Sequence, residues 1–212
     1  MSSLAWTCRL FNNAEMSSRN PQRRFKSCRR FNEVGDAHAL TFSTYHRQPF
    51  LVKERCRRWL ADAIALAKTK HQFHVWAYVI MPEHVHLLIW PCQPIYSISR
   101  ILTTIKQSVA RNALLFVQAN ASWFLTKMLD RQPNGRTAHR FWQRGGGYDR
   151  NLSEVTTLLF EIDYFHCNPI RRGLCERVEE YLWSSAADYL GIRKGPIPID
   201  FESLPTEIAL GR

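Results

Sequence analysis

The sequence predicts an α+β fold in which strands and helices follow one another as βαββαβ, with one further helix behind them. Three observations point there. Runs of β-forming residues alternate with stretches of helical periodicity in that order. Two of the strands are separated only by Pro82-Glu83, which makes them antiparallel neighbours. And 212 residues, 45% of them hydrophobic and 12% aromatic, suffice for one cored domain with appendages. A βαββαβ string is the ferredoxin-like split motif, an antiparallel sheet backed by two helices.

The elements come in sequence as follows. His38 to His46 (HALTFSTYH) alternates and is rich in β-formers, a strand. Residues 53–70 set Trp59, Ala63, Leu66 and Ala67 at helical spacing. Residues 73–81 and 84–90 are the paired strands. Ile98, Ile101, Leu102, Ile105 and Val109 mark an amphipathic helix with Arg100, Gln107 and Arg111 on its other side. Residues 119–140 read as a loop turning at Pro133-Asn134-Gly135, and 140–151 as a glycine-interrupted strand. A last helix is expected over 152–167, opened by Asn151 with Glu154 three places on and closed by Asn168-Pro169. A short helix and a proline-rich tail (191–212) follow. No internal repeat is visible.

Lys and Arg number 29 against 18 Asp and Glu, a net charge of +11. Such a balance favours a polyanionic partner, nucleic acid ahead of membrane, since no basic amphipathic anchor and no apolar run of spanning length is present. Residues 1–35 hold seven basic residues against two acidic ones, a net +5, and read as a flexible basic arm in which Met16 is a possible internal start. The N-terminal stretch lacks the apolar block of a secretory signal, so a cytoplasmic setting is expected. The six cysteines form no CxxC pair and read as reduced packing thiols.

Chemistry concentrates in two places. In Met81-Pro82-Glu83-His84-Val85-His86, the i and i+2 histidines of a strand project together while Val85 and Leu87 face away. Two imidazoles so placed can converge on one ion; equally, they can be half-exposed histidines on an open sheet face. On the last helix, Val155, Leu158, Leu159 and Ile162 form the core stripe, and Tyr164 falls about 180° away beside Glu161 and Asn168. His166 lies on the stripe and reads as a packing histidine. A polar-face tyrosine beside a candidate metal pair is a candidate nucleophile, and attack on phosphorus suits strand transfer better than hydrolysis, for which water suffices.

MPEHVHLLIW (81–90), FWQRGGGYDRN (141–151), IDYFHCNPIRRGL (162–174) and YLWSSAADY (181–189), in this order, resemble the REP-associated tyrosine transposases, a branch of the single-tyrosine HUH transposases of the insertion sequence 200-like superfamily. The resemblance spans roughly residues 36–190, the expected catalytic domain. It implies a ferredoxin-like core with metal-binding His84 and His86 on a central strand. It further implies Tyr164 as nucleophile on the helix after the last core strand, and Asn168 as third metal ligand. Mg²⁺ or Mn²⁺ as cofactor, single-stranded DNA beside an imperfect hairpin as partner, and a 5′-phosphotyrosine intermediate follow from the same likeness. So does a nucleoid-associated life, as an active or a domesticated enzyme. Many relatives have a second tyrosine where this chain has His166, and the basic arm and the 119–140 segment depart from the shared core.

Arg140, Arg144 and Arg150 interleave with Phe141, Trp142 and Tyr148 as a strand-binding groove requires, although Phe141 and Trp142 equally suit a core. Arg171 and Arg172 can hold the DNA backbone near Tyr164 or cap a helix. Gly145-Gly146-Gly147 suggests a bulge or a close backbone approach. Two other functions compete: a non-catalytic nucleic-acid-binding module of ferredoxin-like fold, and a metal hydrolase using water. Residues 36–212 show no RNP-like run for the first, and no carboxylate cluster accompanies the histidines for the second. A monomer with the tyrosine acting in cis is favoured over a dimer.

Overall fold

The computed structural model describes residues 32–209. The chain runs β1 (Ala37–Ser43), α1 (Glu54–His71), β2 (Phe73–Ile80), β3 (His84–Pro91) and α2 (Ile98–Asn120). It continues through α3 (Leu125–Met128), β4 (Leu129–Arg131), β5 (Thr137–His139), β6 (Tyr148–Leu152), α4 (Val155–Arg171), α5 (Ala186–Tyr189) and α6 (Thr206–Ala209). The main sheet has the order β2-β3-β1-β6 with every neighbouring pair antiparallel. The last strand thus lies beside the first and the third between first and second, the ferredoxin-like arrangement with a helix added behind it. Most of the basic arm expected over 1–35 lies outside the described residues.

Alternation along the strands sorts the apolar residues into two cores. Leu40, Phe42, Val85, Leu87 and Ile89 face α1 and α2, whose Leu60, Ile64, Ile101, Leu102 and Ile105 close the first. Ala39, Val79, Met81 and Leu88 face the other way, onto Leu158, Ile162 and Phe165 of α4. Leu204 and Ile208 from beyond residue 190 complete that second core. Among the described residues, no helix is long and apolar enough to cross a membrane.

The structure departs from the sequence reading in four places. Residues 119–140 are not one loop: α2 continues to Asn120, and β4 and β5 pair as a hairpin around the expected turn, where Gly135 has φ +79. The glycine-rich segment becomes strand only from Tyr148. Before it, Trp142 makes a single bridge to Thr44. There is no helix start at Asn151, which still lies in β6, where its amide donates to Asp36 at 2.9 Å; α4 opens at Val155 behind Glu154. Nor does Asn168-Pro169 close α4, which passes through Pro169 to Arg171. The stop is Gly173 (φ +63), with Gly173 N–H on Ile170 O at 2.9 Å and Leu174 N–H on Pro169 O at 2.9 Å, a Schellman cap.

Cysteine chemistry differs as well. Cys56, Cys92 and Cys175 are free, but Cys167 is disulfide-bonded, because spacing along the chain does not tell which thiols the fold brings together. Gly147 is the close backbone approach: a Cβ there would sit 2.0 Å from the Thr41 carbonyl oxygen, at φ +75.

Candidate active site

Strand parity fixes the centre of the site. On β3, His84 and His86 point to the face covered by α4, opposite Val85 and Leu87. They are not half-exposed on an open face: only 7% and 5% of their surface remains accessible. Buried imidazoles need polar partners, and each ring has one on its Nδ1. Glu83 Oε1 lies 3.2 Å from Nδ1 of His84. Thr41 Oγ1 lies 2.8 Å from Nδ1 of His86, because β1 and β3 register Thr41 directly opposite it.

With both Nδ1 atoms engaged, the two Nε2 atoms face each other at 3.0 Å. Donation from His84 Nδ1–H to the Glu83 carboxylate leaves a lone pair on His84 Nε2. The Thr41 hydroxyl, donor or acceptor as required, lets His86 do the same. Burial holds both imidazoles below their ordinary pKa, His86 to about 3, with His84 and Arg47 adding to the effect there. Both rings are therefore neutral at pH 7. Two nitrogens bound to one ion at ~2.1 Å each and about 90° apart are about 3.0 Å from one another, so this pair fits a shared divalent cation as it stands.

Helix α4 brings the remaining groups. Tyr164 projects from its polar face, 42% exposed, and its ring centroid lies 5.7 Å from that of His86, edge on. One turn later the Asn168 amide nitrogen donates to the Tyr164 carbonyl at 2.8 Å, which leaves the amide oxygen as the group able to meet a cation. Among the described residues, no three His, Cys, Asp or Glu side chains form a metal-binding cluster. His166 is fully packed, with Nε2 2.8 Å from the Ser185 hydroxyl.

The five arginines singled out in the sequence divide. Arg171 sets its guanidinium 5.1 Å from the centroid of the Tyr164 ring, and Arg172 bonds Glu83 Oε1 at 2.7 Å; both stand against the site. Arg150 faces Glu161, one turn before Tyr164, at 3.6 Å. Arg140 and Arg144 both clasp Asp130 in β4. Of the rings between them, Phe141 and Trp142 are 3% and 5% exposed and belong to the first core, whereas Tyr148 is exposed. Thr41, Glu83 and Arg47 were not singled out. Glu83 alone was signalled, by its place next to a strand histidine; Thr41 emerges only from the strand register.

The profile described as "Transposase IS200 like" matches residues 36–145. Among solved structures, a REP-associated tyrosine transposase bound to a REP hairpin aligns at 20% identity over 81% of this chain and 88% of its own, with a TM-score of 0.58. A crystal structure from Deinococcus radiodurans R1 aligns at 22% identity over 63% of this chain and 92% of its own, with a TM-score of 0.41. No curated protein gives a significant match.

Proposed function

This chain belongs to the IS200-like transposase family, and from that membership we propose that it nicks and rejoins single-stranded DNA through a 5′-phosphotyrosine on Tyr164. One observation carries the reading: a half-exposed phenol and two facing, neutral imidazoles meet within one chain, 5.7 Å between the nearer ring centroids. His84 and His86, with the Asn168 oxygen, would hold a divalent ion, Mg²⁺ or Mn²⁺. When bound, such an ion polarises a phosphodiester and stabilises the charge that develops on it.

The residues of the chain account for the rest. Tyr164 Oη gives up its proton and bonds to phosphorus, the P–O3′ bond breaks, and the departing oxygen takes a proton to become a free 3′-OH. Attack by a 3′-OH on the phosphotyrosine rebuilds the diester and releases the phenol. Arg171, over the tyrosine ring, favours the negative charge that gathers on Oη and phosphorus during attack. Arg171, Arg172 and Arg150 line the approach with positive charge, to which the phosphate backbone is drawn. A hairpin-containing strand is the proposed substrate, by likeness to the relative solved with a REP hairpin.

The test is an SDS-resistant adduct between the protein and labelled single-stranded hairpin DNA in Mn²⁺. Wild type forms it and Tyr164→Phe does not. Nicking that survives Tyr164→Phe would instead identify a hydrolase working with water, and tight binding without cleavage a non-catalytic module. Either result overturns the proposal.

A further inference from the structure

Glu83 is a buried carboxylate with three charged or polar partners from three separate elements. Oε1 accepts from Arg172 at the end of α4 at 2.7 Å, from Arg47 in the turn after β1 at 3.3 Å, and lies 3.2 Å from His84 Nδ1. Two guanidinium groups thus meet the same carboxylate oxygen that faces the histidine. Its backbone is held as firmly. The Glu83 carbonyl accepts from Thr44 N–H and Thr44 Oγ1, both at 3.0 Å, and the Pro82 carbonyl accepts from Leu51 N–H at 2.9 Å.

The turn that supplies Arg47 is strained. His46 and Arg47 stand consecutively in the left-handed region, φ 50 and φ 52, where residues with a Cβ are disfavoured. A core ion pair would not need that geometry, since both arginines are more than half exposed and Arg172 alone neutralises the carboxylate. What the turn achieves is a fixed carboxylate pressed against one nitrogen of one histidine.

We infer that Glu83 is a positioning residue that sets the tautomer and ring orientation of His84 and, through Arg172, joins that histidine to the helix bearing Tyr164. The inference rests on the proposed metal pair. A ligating histidine whose other nitrogen donates to a carboxylate is oriented and made more basic, and loss of such a partner typically weakens metal binding about 10–100-fold.

Two variants and Mn²⁺ alone test it, by EPR titration without DNA. Glu83→Gln removes the charge, and Glu83→Asp keeps the charge but withdraws the oxygen by one methylene. Both are expected to bind Mn²⁺ about 10–100-fold more weakly than wild type, with no loss of affinity for single-stranded DNA in EDTA. Raising Mn²⁺ should restore adduct formation by Glu83→Asp. Wild-type Mn²⁺ affinity in either variant overturns the inference; in Glu83→Asp it would assign Glu83 a purely electrostatic role. Should the variants not fold, ¹⁵N shifts of the wild-type imidazoles decide. Nδ1–H on His84 is expected, and Nε2–H on His84 contradicts it. Absence of Mn²⁺ binding or of an adduct in the wild type would instead refute the metal-dependent reading itself.

Discussion

Thr41 carries a side chain whose value comes only from where β1 places it. Its hydroxyl is the Nδ1 partner of His86 at 2.8 Å, and replacement by valine keeps the shape while leaving that nitrogen unpartnered. Thr41→Val is therefore expected to weaken Mn²⁺ activation of adduct formation about tenfold, read as a shift in the Mn²⁺ concentration for half-maximal rate, with the rate at saturation less affected. The buried histidines also make a pH prediction. His86 and His166 are each held near pKa 3 by burial, against about 6.5 in the unfolded chain. The unfolded state binds more protons between these values, so stability is complete above about pH 6.5 and is lost as pH falls toward 3. The slope is about 1.4 kcal/mol per pH unit for each such histidine, and His166→Gln should remove one of the two contributions in urea unfolding series at pH 7, 6 and 5. At this scale the sequence was legible where parity or periodicity decides. The joint projection of His84 and His86, the polar face of Tyr164 and the packing of His166 all follow from repeat lengths. Thr41 and the Glu83 partners were not, because a contact between strand and strand, or between turn and helix end, needs the register.

Elements were legible where their signals were uninterrupted. Strands β1, β2 and β3 and helix α1 fall within three residues of their expected bounds, since each is a run of one periodicity closed by turn residues. The second half of the chain misled for a physical reason. Proline predicts an end to α4, yet in a last turn it forfeits only the hydrogen bond to a single carbonyl, and packing of Ile162 and Phe165 against the sheet outweighs that. Gly173, four residues on, is the true stop, because only there does the chain enter the left-handed region. Gly147 is decisive for the opposite edge of the site. With Thr41 O only 2.0 Å from an added Cβ, Gly147→Ala must push β6 from β1 and displace the strand that carries Thr41. A loss of roughly 2–4 kcal/mol is expected, measured by urea unfolding, with Mn²⁺ affinity reduced in parallel. An unchanged midpoint would mean that β6 yields without cost.

The whole molecule is a cationic frame that brings α4 across the sheet face opposite α1 and α2. Its +11 charge predicts affinity for single-stranded DNA that falls steeply with salt, seen as a linear loss of log K with log salt in fluorescence anisotropy. Because Tyr164 and His86 meet inside a single chain, the site should act in cis. A mixture of Tyr164→Phe with His86→Ala is then expected to form no adduct, whereas random exchange of helices between subunits of a dimer would restore about a quarter of it. The ferredoxin-like order could be read from the chain because each crossover leaves its own helical or hairpin signal; the β4–β5 hairpin could not, since three-residue strands in a polar segment carry too little pattern. The most direct measurement is to digest the covalent protein–DNA adduct and locate the nucleotide by mass spectrometry. The account predicts a phosphodeoxynucleotide on Tyr164 within the α4 peptide. Attachment to another residue, exposed Tyr148 included, would contradict it.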